Sequence, residues 1–286
     1  MDPKSGFVDS SGLRIHYLDW GGSGPPAVLL HPSSFCADIW GPAVEAMAPR
    51  LRCIAMDLRG HGRSDPPLGA ISWEELASDL VCLLDQLDIR RALVAGHSRG
   101  GGVSLLATAQ RLDRVKSLVL IEPNLIDRPG QQAADRTRRA VERAGRRRAV
   151  WPDRETLFGA YRQRPIFTHW RDEALWAYIN GGFKDGPDGQ VQLACAPEVE
   201  AAYYEAKIGR DVWEAVAQLD LPALLVAAEG SDRFRLDAPH AQKFLSTAPD
   251  VRSMTVPGGH FVVQENPEDI AKVILEFAVE SGVISA

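Results

Sequence analysis

The chain has 286 residues, of which 45% are hydrophobic and 24% are charged, and its formal net charge is −6. This composition is typical of a globular protein, and the negative charge gives no general reason to expect nucleic acid or an anionic membrane surface as a partner. The four cysteines have no paired C-x-x-C spacing, and neither a metal-ligand cluster nor a dinucleotide-binding glycine motif is present. No apolar run reaches the length of a transmembrane helix, and the N-terminal residues lack the apolar core of a secretory signal. We therefore expect a cytoplasmic protein that needs no cofactor and no metal.

Short apolar runs alternate with helical patterns along the first third of the chain. The predicted strands are residues 12–20, which alternate as an exposed antiparallel strand does, and the buried runs 27–30 and 52–56. A short helix is predicted over residues 39–48. Ser72 and Glu75 form a capping box, which predicts the start of a longer helix with leucines at helical spacing.

The same alternation continues to the C-terminus. The predicted strands of this part are residues 92–95, 117–121, 223–227 and 251–256. Asn266 followed by Pro267 predicts the first turn of the last helix, because proline suits the first helical position. Apolar strands separated by helices indicate a mostly parallel central sheet with helices on both faces.

The alternation of apolar strands and helices stops over residues 124–216. The segment has a helical pattern and many aromatic residues, and it stands between two predicted strands. We expect it to be a helical lid over the carboxyl ends of the strands, so that the core domain consists of residues 1–123 and 217–286. Eight arginines lie within residues 127–148 against three acidic residues. A solvated helix face explains this run better than a nucleic-acid site, because no aromatic residues are interleaved with it.

Ser98 is the centre of a G-x-S-x-G motif at residues 96–100. A buried strand is predicted directly before the motif and a helix of small residues directly after it. A motif in this context forms a turn so tight that flanking glycines are required, and the turn exposes the serine hydroxyl. This strand–turn–helix context makes the signal specific, and Ser98 is a candidate nucleophile.

Three further motifs arrive in the order found in one large family. His31-Pro32 follows the first central strand, residues 57–64 read D-x-R-G-x-G-x-S, and Gly258-Gly259-His260 follows the last strand. With the serine motif, these features resemble the α/β-hydrolase superfamily over nearly the whole chain, and most closely its lidded esterases, lactonases and C–C hydrolases. The resemblance implies the α/β-hydrolase fold and a Ser98–His260–acid triad that performs acyl transfer.

Two carboxylates compete for the place of the triad acid. Asp232 follows the strand at 223–227, but an ungapped count puts Ser231, not Asp232, on the position that the family uses. Glu122 ends the strand before it, where some branches of the superfamily take their acid. Both residues lie at carboxyl ends of strands, where ligands and catalysis concentrate in open α/β sheets. We favour Asp232 at this stage and keep Glu122 as the alternative.

An oxyanion hole needs two backbone N–H groups directed at the developing negative charge. The resemblance implies Arg99, directly after the nucleophile, as one donor. The family usually has glycine where this chain has Pro32, which carries no N–H. The second donor is therefore expected to be Ser33, or less favourably Ser34.

The resemblance favours hydrolysis of an ester or lactone of a small, apolar or aromatic molecule, with Trp151, Trp170 and Trp176 as leading substrate contacts in the lid. Haloalkane dehalogenases and epoxide hydrolases of this fold need a carboxylate nucleophile, so Ser98 argues against both. A C–C bond hydrolase or a cofactor-free haloperoxidase would use the same triad and remains an alternative. A ligand receptor without turnover is an alternative of another class.

Overall fold

The structure is a computed structural model, and it describes residues 2–125, 131–206 and 212–286. Its strands are β1 Lys4–Ser10, β2 Leu13–Asp19, β3 Pro26–Leu30, β4 Arg52–Met56, β5 Ala92–His97, β6 Val115–Ile121, β7 Val150–Trp151, β8 Phe183–Asp185, β9 Val191–Leu193, β10 Ala223–Ala228 and β11 Val251–Val256. Its helices are α1 Gly41–Met47, α2 Trp73–Gln86, α3 Arg99–Gln110, α4 Gln131–Gly145, α5 Arg154–Arg162, α6 Asp172–Gly182, α7 Pro197–Glu205, α8 Val212–Gln218, α9 Pro239–Thr247, α10 Val262–Glu265 and α11 Pro267–Glu280. Three short 3-10 turns lie at Ala37–Trp40, Pro165–Phe167 and Pro187–Gly189.

Eight of these strands form one sheet in the order β1-β2-β4-β3-β5-β6-β10-β11. The pairs β1–β2 and β2–β4 are antiparallel, and the pairs from β4 to β11 are parallel. The mostly parallel sheet expected from the sequence is therefore confirmed. The N-terminal strand β1 was not predicted, because its polar sequence with a central glycine carries no clear apolar alternation.

In the central strands β3, β4, β5, β6 and β10 almost every residue is buried. Because successive side chains of a strand point to opposite sides, both faces of the sheet are covered there. In β3, Ala27 and Leu29 belong to one apolar cluster, whereas Val28 and Leu30 belong to another. Helices α1 and α11 contribute to the first cluster, and helices α2, α3, α8 and α9 to the second. None of the helices in the described ranges is long and apolar enough to cross a membrane.

Strands β6 and β10 are neighbours in the sheet, and the described residues between them contribute no strand to it. Contrary to the all-helical expectation, this segment contains a small antiparallel sheet in the order β7-β9-β8 besides its helices. Strands of two or three residues are too short to show a periodic pattern in the sequence. The expected boundary at residues 216/217 falls inside α8, whose apolar residues pack with the core helices. The division into core and lid otherwise stays a prediction.

A buried ion pair attaches the loop after β4 to α2. The Arg59 guanidinium donates to both carboxylate oxygens of Asp79, at 2.8 and 2.9 Å, and these side chains are 4% and 0% exposed. Glu75, one turn earlier on α2 and about half exposed, makes a second ion pair with the Arg59 guanidinium at 3.0 Å. Paired charges of this kind become costly when one partner is removed, because the other stays buried without compensation.

We expect Asp79→Ala to lower the free energy of unfolding by about 3 kcal/mol or more, because it leaves the Arg59 charge buried without its main partner. Urea denaturation followed by circular dichroism measures this loss. Asp113→Ala, which removes an exposed partner of Arg111, is the matched control and should change stability far less. The double variant Arg59→Met/Asp79→Leu should recover most of the loss. If the urea midpoint of Asp79→Ala equals that of the wild type, the prediction that loss of this buried partner destabilises the fold is wrong.

Candidate active site

Ser98 lies in the turn between β5 and α3, and its backbone is held in an uncommon conformation with φ 53° and ψ −114°. Two hydrogen bonds fix this conformation: Ser98 N–H donates to the carbonyl of Ile121 at 2.9 Å, and its own carbonyl accepts from Asn124 N–H at 2.9 Å. A strained residue persists only where its surroundings determine it. Here the last residue of β6 and the loop directly after it supply the two contacts, and Ser98 stays partly accessible.

The glycines of the motif are required by a close approach of backbones. A Cβ atom on Gly96 would lie 2.3 Å from the carbonyl oxygen of Gly100, and one on Gly100 would lie 2.5 Å from that of Leu30. Both separations are far below van der Waals contact, so only glycine allows α3 to start this close to β3 and β5. The structure thus has the sharp turn that the motif predicts.

His260 connects the serine to a carboxylate. Its Nε2 atom lies 3.2 Å from Ser98 Oγ, and its Nδ1 atom lies 3.1 Å from Glu122 Oε2. The imidazole side chain is 10% exposed and the carboxyl side chain of Glu122 is fully buried. With the proton on Nδ1 donated to Glu122, Nε2 is left as an acceptor for the serine hydroxyl.

The preference for Asp232 is therefore wrong as regards the contact with His260, because Glu122 occupies that place. Glu122 directly follows β6, and its carboxylate also accepts hydrogen bonds from Ala228 N–H at 2.7 Å and from the Ser231 hydroxyl. Asp232 is exposed, on the loop after β10. Ser231 N–H closes a tight turn onto the Ala228 carbonyl at 3.1 Å, which buries Ser231 and leaves the next residue, Asp232, in solvent. Ser231, on the position expected for the acid, instead supports the glutamate.

Burial dominates the electrostatics of this pair. It raises the pKa of Glu122 to about 7, and the negative charge of Asp232 acts in the same direction. The hydrogen bonds from Ser231 and Ala228 and the positive charge of Arg233 oppose this shift and favour the carboxylate. Burial also lowers the pKa of His260 to about 3, so the imidazole is neutral at neutral pH. A neutral imidazole is the form that can take a proton from a serine.

The loop that carries His260 is fixed from two sides. His97 Nε2–H donates to the carbonyl of His260 at 2.6 Å, and burial holds the pKa of His97 well below its usual value. Helix α11 begins at Pro267 as predicted, and the side chain of Asn266 before it donates to the Pro257 carbonyl at 2.9 Å. His97, which occupies the variable position of the motif, thus supports the candidate base. Sequence analysis missed this role because the two residues are 163 positions apart.

Two buried histidines hold the loop after β3. Nε2 of His31 accepts from Leu58 N–H, and Nε2 of His61 accepts from Ser34 N–H, both at 3.0 Å. Their Nδ1 atoms donate to the carbonyls of Pro32 and Arg59. Burial lowers the pKa of both imidazoles, to about 3 for His61. Both are therefore neutral, as acceptors for an amide must be.

These contacts reduce the choice of oxyanion donors. Pro32 has no N–H, and the N–H of Ser34 already donates to His61. Of the two candidate donors, Ser33 and Ser34, only Ser33 therefore has an N–H left for the oxyanion. Arg99 is the first residue of α3, where amides have no acceptor within the helix. Arg99 directly follows Ser98 in the sequence, and its Nε donates to the Ser33 hydroxyl at 3.1 Å, so the two candidate donor residues are in contact with each other.

The three candidate tryptophans differ in their surroundings. Trp170 is 3% exposed and packs against Phe35 and Phe261, with ring centroids 5.1 and 5.6 Å away. Phe261 in turn contacts the His260 ring at 5.0 Å, so an aromatic wall leads from Trp170 to the site. Trp151 is 6% exposed and packs on Tyr161 within the core cluster, which favours a packing role. Trp176 stacks on Phe158, 4.4 Å between ring centroids.

Comparisons with known proteins agree on the family. Residues 27–273 match the family model described as "Alpha/beta hydrolase family". Haloalkane dehalogenase 2 of Mycobacterium tuberculosis strain H37Rv is 29% identical over 282 residues, covering 96% of this chain and 94% of that protein.

Two solved structures share the fold. E-2-(acetamidomethylene)succinate hydrolase superposes with a TM-score of 0.79 at 24% identity, covering 96% of this chain and 98% of its own. The enol-lactonase from Burkholderia xenovorans LB400 superposes with a TM-score of 0.75 at 20% identity, covering 96% of this chain and 100% of its own. From the extent of the family match, the fold and the serine turn, we conclude that this chain belongs to the alpha/beta hydrolase family.

Proposed function

We propose that this protein is a serine hydrolase that cleaves an ester or lactone bond in a small apolar or aromatic molecule. The observation that carries the proposal is the continuous hydrogen-bonded chain from the Ser98 hydroxyl through His260 to Glu122. A serine is too weak a nucleophile by itself and needs an adjacent base that a third group orients. Each of these three groups is present at hydrogen-bonding distance.

In the first half of the reaction, Ser98 Oγ attacks the acyl carbon while its proton moves to Nε2 of His260. The carbonyl oxygen becomes an oxyanion, which the N–H groups of Ser33 and Arg99 stabilise. The bond from the acyl carbon to the alcohol oxygen then breaks, and the proton on Nε2 goes to that oxygen. Glu122 stays ionised throughout and stabilises the imidazolium. For a lactone, the alcohol remains attached to the acyl group.

In the second half, water attacks the acyl-enzyme. Its proton moves to Nε2 of His260, a second oxyanion forms in the same place, and the bond to Ser98 Oγ breaks as the serine recovers its proton. The products are the carboxylic acid and the free enzyme. No step needs a group beyond this chain, the substrate and water.

The residue types also bear on the alternatives. A dehalogenase of this fold forms an alkyl ester on a carboxylate nucleophile, whereas this chain has a serine at that place. The aromatic wall of Phe35, Trp170 and Phe261 beside His260 favours an apolar or aromatic group in the substrate. A C–C bond hydrolase or a cofactor-free haloperoxidase would use the same triad, and a substrate panel distinguishes these reactions from ester or lactone hydrolysis.

The decisive experiment is covalent labelling. We expect a fluorophosphonate probe to modify one residue per chain, Ser98, and the protein to turn over short p-nitrophenyl esters. Ser98→Ala should abolish labelling and lower kcat by at least about 10³-fold, as removal of a triad nucleophile does. Mass spectrometry locates the label, and circular dichroism verifies the fold of the variant. Labelling without turnover on any ester, lactone, aryl ester or C–C substrate would favour a receptor.

The acid is tested by a pair of isosteric substitutions. We expect Glu122→Gln to lower kcat by up to about 10⁴-fold, because an amide stabilises the wrong imidazole tautomer. Asp232→Asn is the matched control and should keep kcat within a few-fold of the wild type (about 5-fold at most), since Asp232 acts on the site only through its charge. Steady-state kinetics on one ester measures both. If Asp232→Asn lowers kcat far more than Glu122→Gln does, Asp232 is the triad acid.

The pH dependence follows from the charges around the pair. We expect kcat/KM to fall as the pH drops below about 7, because Glu122, whose pKa burial raises to about 7, takes up a proton. Asp232 raises and Arg233 lowers the pKa of both Glu122 and His260. Asp232→Asn should therefore move the acid limb to lower pH, and Arg233→Gln to higher pH. This account is contradicted if the acid limb moves to higher pH in Asp232→Asn, moves to lower pH in Arg233→Gln, or stays unchanged in both variants.

A further inference from the structure

The loop that carries Ser33 is attached to α7 of the inserted segment by both of its serine hydroxyls. The hydroxyl of Ser34 donates to Glu200 Oε1 at 2.7 Å, and that of Ser33 accepts from Arg99 Nε at 3.1 Å. Arg99 also donates through another nitrogen to the carbonyl of Tyr203, one turn after Glu200 on α7. Two neighbouring residues of the loop are thus connected to one helix by two separate routes.

Glu200 is itself held rigidly. It is 5% exposed, and its second oxygen pairs with the guanidinium of Arg147. Arg147 in turn donates to the hydroxyls of Tyr161 and Tyr178, at 3.2 and 2.7 Å. The surrounding carboxylate and phenol groups raise the pKa of Arg147 well above its usual value, so its charge is permanent. A buried carboxylate with this pairing has one oxygen available to orient the Ser34 hydroxyl.

The Arg99 route is equally fixed. The guanidinium lies over the Trp73 ring, 4.3 Å from its centroid, and is 5% exposed with the rest of the residue. Tyr203, whose carbonyl it contacts, is fully buried and donates its hydroxyl to the Arg59 carbonyl at 2.8 Å. Helix α7 is therefore attached to the core directly beside the loop and cannot shift without disturbing these bonds.

The loop needs such support because, among Pro32, Ser33 and Ser34, only Ser33 has an N–H group left for the oxyanion. Pro32 has no N–H, Ser34 N–H is bonded to His61, and Ser34 adopts a left-handed conformation with φ 77° that costs free energy for a non-glycine residue. The remaining N–H, on Ser33, must point at the oxyanion to stabilise it, and a misplacement of about 1 Å can cost on the order of 10²-fold in rate.

We propose that Glu200, through Ser34, is a positioning residue of the oxyanion hole, so that α7 supports the chemical step and not only the choice of substrate. The inference rests on the proposed serine-hydrolase function. Glu200 contacts neither the nucleophile nor the base. Its effect passes through the Ser34 hydroxyl to the neighbouring Ser33 N–H, with the Arg99–Ser33 bond as the second support.

The test compares Glu200→Ala with Glu198→Ala, which removes an exposed carboxylate from the same helix. Ser34→Ala is the second variant, because it breaks the contact while leaving the Arg147–Glu200 pair intact, should Glu200→Ala fold poorly. We expect Glu200→Ala and Ser34→Ala to lower kcat by about 10-fold to 100-fold, less than the roughly 10²–10³ for loss of a whole oxyanion donor. The factor should be the same for a short and a bulky ester, with KM unchanged.

Two further readouts distinguish positioning from packing. The inhibition constant of a trifluoromethyl ketone, which forms an oxyanion on the serine, should rise by the same factor as kcat falls. Amide hydrogen exchange of the peptide covering residues 31–35 should accelerate in both variants and stay unchanged in Glu198→Ala, which tests the attachment even if the wild type cleaves no ester.

Wild-type kcat in folded Glu200→Ala and Ser34→Ala would overturn the inference, as would unchanged exchange of residues 31–35. A loss confined to KM of the bulky ester would also overturn it, because that result indicates substrate selection. Failure of the wild type to react with fluorophosphonate is a different result: it rejects the serine-hydrolase function, while the exchange experiment still decides whether Glu200 holds the loop.

Discussion

The buried carboxylate of Glu122 is the interaction on which the site depends. It follows β6, accepts hydrogen bonds from Ala228 at the end of β10 and from Ser231 in the loop after it, and faces His260 after β11. One side chain therefore connects the ends of three adjacent parallel strands, and the same end of β6 holds the backbone of Ser98 through Ile121. A buried carboxylate is costly unless its oxygens are fully bonded, so the positions of these loops are mutually determined.

Neutral imidazoles and permanently charged guanidiniums together hold the loops and helices around this carboxylate. His31, His61 and His97 are buried and neutral, and each accepts from or donates to a backbone amide or carbonyl of a loop at the site. Arg59 connects the loop after β4 to α2, Arg99 connects the start of α3 to α7, and Arg147 holds Glu200 of α7 within the inserted segment. Backbone groups of irregular loops need partners just as those of helices do, and these side chains supply them.

The segment between β6 and β10 therefore has two kinds of contact with the core. Its aromatic residues pack into an apolar wall that reaches Phe261 beside His260, which suits selection of an apolar substrate. Its charged residue Glu200, which is paired with Arg147 of the same segment, contacts the hydroxyl of Ser34 in the loop after β3. Because both contacts come from one segment, changes in the segment that alter substrate preference can also alter the chemical step, and separate measurement of kcat and KM is needed to tell them apart.

The sequence by itself determined the features that depend on neighbours along the chain. Strands β4 and β11 match their predicted bounds residue for residue, and the glycines around Ser98 predicted the sharp turn, because apolar runs and steric limits are local properties. The contact of His260 with Glu122 was decided only by the tertiary structure. The choice between Glu122 and Asp232 depends on how far the loops after β6 and β10 reach toward each other, and a shift of one residue turns a side chain from the site to solvent. The same limit explains why the roles of His97 and Glu200 escaped sequence analysis, because their partners are more than 160 residues away. His97 meets His260 because the parallel strands β5 and β11 end on the same side of the sheet, and Glu200 meets Ser34 because α7 packs beside the loop after β3.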